Sequence, residues 1–487
     1  MKNLKDILYG VSILEVVGDT SIEVAGIAFD SRKVTRGFCY TAQVGTQVDG
    51  HSFIGKAIED GAVAVLCEKL PEAFVEGVTY IRVANSAEAL GIMASNFYDN
   101  PSSKLKLVGI TGTNGKTTTA TLLHQLFTKL GHHAGLVSTV VNKIGQEEVK
   151  STHTTPDAIQ LNELLVKMVL DGCEFCFMEV SSHAVVQRRV AGITFAGGGF
   201  TNITHEHLDF HKTFKEYIKA KQGFFNLLPK NAFALSNKDD KNGVVMLQES
   251  AAKKYYYALK THADFKTKVL ESNFNGLSLK IDDQDFWSPF IGYFNAYNLT
   301  TVYGIAMLLG QGKMEVLTVL STLNSVAGRF QHLKIGGVTG IVDYAHSPDA
   351  LENVLKTIKD IRTGNEKVVT IVGCGGDRDR TKRPLMAAIA CKLSDRVILT
   401  SDNPRTENPE SIIEEMKTGV DAASKRKVLA ITNRKEAIRT ASSLVQANDI
   451  MLVAGKGHEN YQEINGERTH FDDLEILTEA LKENQTK

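Results

Sequence analysis

The stretch VGITGTNGKTTTATLL, residues 108–123, runs from a short apolar strand through a turn of glycines, one lysine and several threonines into an apolar helix. A glycine-rich turn lets successive backbone N–H groups point at one anion, and the helix that follows adds the positive end of its dipole. Phosphate binding is the chemistry this order of elements serves. Gly112, Thr113, Asn114, Gly115, Lys116, Thr117 and Thr118 are the candidate contacts, with Lys116 meeting the outer phosphates of ATP and Thr117 a magnesium ion. The spacing is G-x-x-G-x-x-G-K-T from Gly109; the strict G-x-x-x-x-G-K-[ST] pattern misses by one position, because Ile110 stands five before Gly115. A nucleotide-bound metal also needs a carboxylate at the end of a second strand. EFCFMEVSSHA places Glu179 there, an acid emerging from an apolar run into Ser-Ser-His.

Other clusters compete for attention. TNITHEHLDFH gathers His205, His207, Asp209 and His211, a zinc set on composition alone, yet the H-E-x-x-H order is absent and a divalent metal shared with ATP accounts for it more simply. SNKDD contains N-K-x-D at residues 237–240, the guanine-reading signature of regulatory GTPases, so a non-enzymatic nucleotide switch stays open as a reading of another class. GCGGDRD follows a strand like a dinucleotide fingerprint, but Arg378 stands where the third glycine belongs. Cys173 and Cys176 form a C-x-x-C inside an apolar strand with no second pair, which favours core packing over metal or redox chemistry.

The elements that must position these residues alternate along most of the chain. At 487 residues, and about 100–200 residues per domain, roughly three α/β domains are expected. Residues 1–100 hold short strands and one helical pattern, SAEALGIMASNFYDN, stopped by Pro101. Residues 101–330 alternate apolar strands with amphipathic helices, the pattern of a central parallel sheet carrying the phosphate loop. Residues 331–487 begin a second such series, GIVDYA, KVVTIVGCGG, RVILTSDNPR and DIMLVAGKG, which reads as a Rossmann-like domain with ligand loops at the strand ends.

Composition narrows the classes. A formal net charge of -1, with no basic run interleaved with aromatics, argues against nucleic-acid binding. No apolar run approaches the roughly 20 residues of a membrane span, and the charged N-terminus offers no secretory leader, so a cytoplasmic protein without membrane insertion is expected. The six cysteines are scattered through apolar segments, as buried reduced thiols are.

Taken together, GITGTNGKTTT, MEVSSHAVVQRRV, TNITHEHLDFH, AGRFQHL, VDYAHSPDAL, GCGGDRDRTKRPLM and DNPRTENP occur in the order seen in the Mur ligases of peptidoglycan synthesis, and the chain resembles their diaminopimelate-adding branch from about residue 26 to 470. The resemblance implies a monomeric, ATP- and magnesium-dependent amide-forming ligase, its three domains binding a UDP-muramoyl dipeptide, ATP and meso-diaminopimelate in turn. It implies metal ligation by Thr117, Glu179, His207 and a carbamylated Lys221, which sequence alone does not distinguish from Lys215 or Lys219. It puts Ser31, Thr46, Gln47 and Val48 near the uridine diphosphate, and Thr154, Thr155, Ser181, Gln187 and Arg189 near the sugar-peptide part. Asn295, Asn298, Arg329 and Asp343 resemble nucleotide contacts, although helix capping is as good a reading of the asparagines. Arg378, Asp402, Asn403, Pro404, Arg405, Gly455 and Glu459 resemble a diaminopimelate pocket, in which a planar guanidinium would grip the carboxylate that lysine lacks. A lysine-adding ligase and a folylpolyglutamate synthetase relative remain the alternatives within the fold, and His346 is a candidate base for the attacking amine.

Overall fold

The computed structural model describes residues 1–45, 48–151, 153–204 and 208–485. Three sheets organise them. Near the N-terminus five strands lie in the order Ile13–Val17, Thr79–Val83, Ala64–Cys67, Phe38–Thr41 and Gly26–Ala28, parallel except for the first. The expected helix is Ser86–Phe97; Asn85 caps it by accepting from Glu88 N, and Asp99 and Asn100 turn left-handed ahead of Pro101. The chain therefore leaves the helix before the proline.

The central sheet has eleven strands, and its middle is parallel: Ala134–Val137, Phe175–Glu179, Lys106–Thr111, Gly197–Phe200, Phe233–Asn237 and Lys253–Ala258, in that order. Strand residues alternate between its two faces. Val108, Ile110, Phe175 and Phe177 enter one core, while Leu107, Cys176 and Met178 enter the other. A sheet buried on both faces needs near-continuous apolar strands, which explains the C-x-x-C as packing. Burial also pushes the Cys176 thiol well above its ordinary pKa. An antiparallel hairpin, Val141–Ile144 with Glu147–Lys150, extends one edge, and Gly276–Ile281 with Gln284–Ser288 extends the other.

One close approach decides where the site can form. A Cβ on Gly109 would lie 2.5 Å from the Phe224 ring, and one on Gly198 would lie 2.7 Å from it. Bare glycine on two adjacent strands lets the helix Phe214–Asn226 seat Phe224 against the sheet, and the same helix carries Lys221. Gly109, the first glycine of the loop pattern, thus serves packing.

The third sheet orders Gln331–Ile335, Val338–Asp343, Ile450–Ala454, Val368–Cys374, Arg396–Ser401 and Val428–Ala430, all parallel after the first. Its helices include Arg434–Leu444 and Asp473–Gln485, locked by a fully enclosed pair: Arg434 Nε and Nη2 donate to Asp473 at 2.8 and 2.7 Å, and Nη2 also donates to Ala454 O at 3.0 Å. Removing one partner of a buried pair strands the other charge. Asp473→Asn is expected to lower unfolding free energy by about 3–5 kcal/mol in urea titration; a loss under about 1 kcal/mol would show that the pair is not the lock.

Candidate functional site

The phosphate loop leaves the C-terminal end of the central strand Lys106–Thr111 and enters the helix Lys116–Lys129. Gly112 and Gly115 have φ of 149° and 87°, conformations that side chains resist. The segment after the neighbouring strand cages the loop. Asn202 Oδ1 accepts from Asn114 N at 2.9 Å, Thr201 Oγ1 donates to Asn114 O at 2.6 Å, and Thr113 N donates to Asn202 O at 2.7 Å. Thr118 is buried in the first turn of the helix. Lys116 Nζ folds over the loop to Gly112 O and Thr113 O, both at 2.8 Å.

Glu179 ends the strand Phe175–Glu179 beside the loop and is fully enclosed. Its Oε2 accepts from Thr117 Oγ1 at 3.0 Å and its Oε1 from Thr139 N at 2.7 Å. A carboxylate oxygen from a strand end and a hydroxyl from the first turn of the helix, meeting in a buried place, make a hard-oxygen set that suits magnesium. Thr117 Oγ1 also accepts from Arg329 Nη2 at 3.2 Å, and the Arg329 guanidinium stacks 4.6 Å over the Tyr344 ring.

Burial distinguishes the three lysines of the Phe214–Asn226 helix. Lys215 and Lys219 are exposed, whereas Lys221 is 1% exposed, donates to Gly112 O at 2.7 Å and lies 4.7 Å from the Tyr217 ring one turn earlier. Tyr217 OH in turn bonds Thr113 Oγ1 at 3.0 Å. His207 lies outside the described residues, as does His205; His211 bonds Ser182 Oγ at 2.9 Å.

Around the end of the Glu179 strand, Thr155 Oγ1 donates to Glu179 O at 2.9 Å and accepts from Ser181 N at 3.1 Å, Arg189 Nη1 donates to Thr155 O at 2.7 Å, and Thr139 Oγ1 donates to Thr154 Oγ1 at 3.1 Å. Thr154, Thr155, Ser181 and Arg189 therefore lie together at the Glu179 strand end. The cap of the following helix is Asp157, which accepts from Ile159 N and Gln160 N, so capping is not what the threonines do. Gln187 ends the short helix Ser182–Val186 next to Arg189. Ser31 opens a 3-10 turn in the N-terminal unit, and Val48 is exposed beside it in sequence to Thr46 and Gln47, which lie outside the described residues.

Asn295 and Asn298 sit inside the helix Tyr293–Leu308, capped at its start by Gly292, so neither is a cap. Asn298 Nδ2 donates to Asn295 Oδ1 at 3.2 Å, and Asn298 Oδ1 faces the loop, 2.5 Å from where a Gly115 Cβ would stand. The third sheet presents its strand ends to the same crevice. Across it lie Asp343, then Gly455 to Glu459, then Gly375 to Arg378, then Asp402 to Arg405. Asp349 reaches over to Asn114 Nδ2 at 3.2 Å and Thr204 Oγ1 at 2.8 Å, joining this unit to the phosphate loop.

Within that rim Arg405 takes a left-handed backbone (φ 52°) and donates from Nη1 to Gly376 O at 2.7 Å. Arg378 is exposed on the same side of Gly375, where a Cβ would lie 3.0 Å from Arg405 Nη1 and 3.9 Å from Arg378 Cγ. Pro404 is buried and its carbonyl packs on Gly376. Asn403 Nδ2 donates to Glu459 Oε2 at 2.7 Å, and Asp402 Oδ2 lies 2.5 Å from where a Gly455 Cβ would stand. Burial, with the neighbouring Asp402, pushes the Glu459 carboxyl above its ordinary range.

Sequence reading missed several residues: Thr201 and Asn202, Tyr217, Asp349, and the enclosed Lys456. Their signal was position within quoted motifs rather than chemistry. Tyr344 was missed too, and it stacks on His346 and on His458, whose imidazole burial and Arg329 hold down to about 3. His346 Nδ1 bonds Tyr344 O at 2.9 Å. The N-K-x-D residues are engaged in loop stapling: Asp239 accepts from Leu259 N, Lys260 N and Thr261 N, and Asp240 from Ile203 N. A guanine-reading role has no support from that arrangement.

Known proteins share this architecture. A model of the Mur ligase middle domain matches residues 110–306, one of the Mur ligase glutamate ligase domain matches 328–457, and one of the Mur ligase family catalytic domain matches 23–98. The UDP-N-acetylmuramoyl-L-alanyl-D-glutamate--2,6-diaminopimelate ligase of Cytophaga hutchinsonii is 57% identical over 480 residues, covering 98% of this chain and 99% of that protein. A solved structure of a ligase of that name is 32% identical with a TM-score of 0.71, covering 99% of both chains. The MurF ligase of Thermotoga maritima in complex with ADP shares the fold at 18% identity and a TM-score of 0.61, over 94% of this chain and 97% of that one.

Two measurements probe this geometry. Gly115→Ala forces a Cβ against Asn298 and a side chain onto a left-handed backbone, at about 1–3 kcal/mol; ATP affinity by equilibrium titration is expected to fall about tenfold or more, and unchanged affinity would mean that the loop has another backbone path. Asp343 is the second. Burial raises its carboxyl from 3.8 to about 6 against the opposing pull of Arg329 and the Phe330 N–H. A folded pKa above the unfolded one gives stability that is complete below about pH 4 and lost as pH rises through about 6. At about 1.4 kcal/mol per unit, the wild type should lose up to about 3 kcal/mol relative to Asp343→Asn between about pH 4 and 7. A gap that stays constant with pH in urea titrations would refute this.

Proposed function

We propose, because the chain belongs to the Mur ligase family, that it joins meso-diaminopimelate to UDP-N-acetylmuramoyl-L-alanyl-D-glutamate at the expense of ATP. The observation that carries this reading is that contacts from Arg329 and Asp349 bring strand ends of two sheets together. The phosphate loop and Glu179 end strands of one sheet, Arg405 and Glu459 follow strands of the other, and Arg329 and Asp349 tie the two together. A reaction that first phosphorylates a carboxylate and then brings an amine to it needs such a crevice.

A carboxylate is a poor electrophile. Transfer of the terminal phosphoryl of ATP to the D-glutamyl carboxylate breaks the bond to ADP, forms an acyl phosphate and so supplies a leaving group. The neutral amine of diaminopimelate then adds to the acyl carbon and gives up a proton, for which His346 is the candidate acceptor, and collapse of the tetrahedral adduct releases phosphate and leaves the amide. Lys116 and the N–H groups of Gly112 to Thr118 receive the phosphate oxygens as charge spreads over them. Asn295, Asn298, Arg329 and Asp343 line the nucleotide side. Ser31, Thr46, Gln47 and Val48 meet the uridine diphosphate, and Thr154, Thr155, Ser181, Gln187 and Arg189 hold the sugar-peptide part beside Glu179.

Magnesium fits the oxygen set at Thr117 and Glu179, with His207 and Lys221 as its carbamate completing the ligands; when bound it neutralises charge on the phosphates. The enclosure of Lys221 next to a tyrosine ring favours the neutral amine that carbamylation requires. Domain roles follow the chain: residues 1–100 for the UDP precursor, 101–330 for ATP, 331–487 for the amino acid. The protein works in the cytoplasm, where its nucleotide substrates are made, and as a monomer.

Selectivity sits on Arg405. Diaminopimelate carries a carboxylate at its far end that lysine lacks, and Arg405 and Arg378 present donors around Gly375 to grip it. Phosphate release from ATP with the UDP-linked dipeptide should depend on meso-diaminopimelate and not on L-lysine. Arg405→Ala should raise the KM for diaminopimelate by about tenfold to a hundredfold, since hydrogen bonds to charged groups are worth about 1.5–3 kcal/mol. Equal release with lysine would overturn the role of the arginine. No release with either amino acid would return the loop to the nucleotide-switch reading.

A further inference from the structure

Behind the rim of the third sheet lies a lysine that touches neither solvent nor the open crevice. Lys456, two residues beyond the strand Ile450–Ala454, is 0% exposed. Its Nζ lies 3.0 Å from Asn403 Oδ1, 3.3 Å from Glu459 Oε2 and 3.9 Å from Asp402 Oδ1, and the rings of Tyr461 and Phe471 cover it at 5.4 and 6.0 Å. Asn403 closes the circuit through its own bond to Glu459 Oε2. Its enclosure keeps the ammonium from meeting a substrate, so whatever it does passes through the two acids.

Both acids face the same ammonium, Glu459 at 3.3 Å and Asp402 at 3.9 Å, and a cation shared in this way offsets the repulsion between enclosed carboxylates. The other charged or titratable groups facing the cluster include the Arg434–Asp473 pair, whose Arg434 Nη1 is buried without a hydrogen-bond partner, and His458, Cys374, Tyr344, Tyr461 and Arg405. None of these makes the direct contacts that Lys456 makes. Resting on the reading of this pocket given above, we infer that Lys456 is a positioning residue, an internal cation that holds Asp402 and Glu459 in place, ready for the ammonium at the far end of the incoming amino acid. Arg405 then selects the carboxylate of that end, and the acids take its ammonium. Without Lys456 a proton would settle on Glu459, and the substrate's ammonium would have to displace it. Binding would become pH-dependent where it had been flat.

The test is the KM for meso-diaminopimelate, measured by phosphate release across about pH 6 to 8.5 in wild type, Lys456→Met and Lys456→Arg. The Met variant should show a KM raised about tenfold near pH 7 and falling as pH rises, with kcat changed less than about threefold; the Arg variant should keep a flat profile near that of wild type. A folded Met variant with the wild-type profile, or Met and Arg variants impaired alike at every pH, would overturn the inference. Should Lys456→Met not fold, the neutral double variant Lys456→Met with Glu459→Gln is read by calorimetric titration with diaminopimelate. Weak binding independent of pH supports the role, and binding as tight as wild type refutes it. Absence of diaminopimelate-dependent turnover in the wild type would instead strike at the proposed function, leaving the two failures distinct.

Discussion

One hydroxyl carries the connection on which the whole arrangement depends. Thr117 Oγ1 gives its proton to Glu179 Oε2 and accepts from Arg329 Nη2, so a single side-chain oxygen links the phosphate-loop helix, the neighbouring strand and the segment leading into the third sheet. A hydroxyl can do both because it has one donor and two lone pairs. Arg329 in turn holds its guanidinium 4.6 Å from the centre of the Tyr344 ring, directly after Asp343 at the end of a third-sheet strand. One hydrogen bond and one cation–ring contact thereby connect the phosphate loop to the strand ends of the third sheet. Asp349, bonded to Asn114 and Thr204, provides a second tie on the opposite side of the loop.

The parts of this that were legible in the sequence are those where backbone chemistry restricts the choice of residue. The loop needed glycine where φ is positive, the nucleotide end needed an acid at a strand terminus, and the parallel sheets needed continuous apolar runs; Gly112, Glu179 and the strand Val368–Cys374 announce themselves on those grounds. Strands open to water did not. The segment Phe265–Asn273 reads FKTKVLESN, charged or polar at most positions, and the hairpin Val141–Lys150 is short and largely exposed, so neither carries the apolar pattern by which a strand is recognised.

Side-chain identity was harder to read than backbone need, because it depends on which neighbours arrive from elsewhere in the chain. Lys221 looks like Lys215 and Lys219 until the helix is docked, and docking is decided by Phe224 settling over Gly109 and Gly198 on two other strands. Asn295 and Asn298 look like caps until Gly292 is seen to start the helix. Lys456 is a lysine between two glycines, and only the fold brings Asn403 and Asp402 to it from fifty residues away in sequence. The motif resemblance named the site only as a set of segments, while which side chains of each segment meet had to come from packing.

The left-handed Arg405 shows how far packing is made to serve chemistry. A non-glycine residue with φ of 52° is held at a cost of order 1–3 kcal/mol and persists only where its surroundings over-determine it. Here they do. Its N–H donates to Glu463 O, its carbonyl accepts from Asn465 N, and its guanidinium donates to Gly376 O. Three contacts at three points of one residue fix the direction of the side chain before any ligand is present, and a guanidinium so fixed loses little further entropy when it grips a carboxylate. A flexible arginine on a surface turn would bind the same group more weakly and would tolerate its absence more readily. If the pocket takes diaminopimelate as proposed, the strain serves discrimination between amino acids, because it fixes the guanidinium where a far-end carboxylate would meet it.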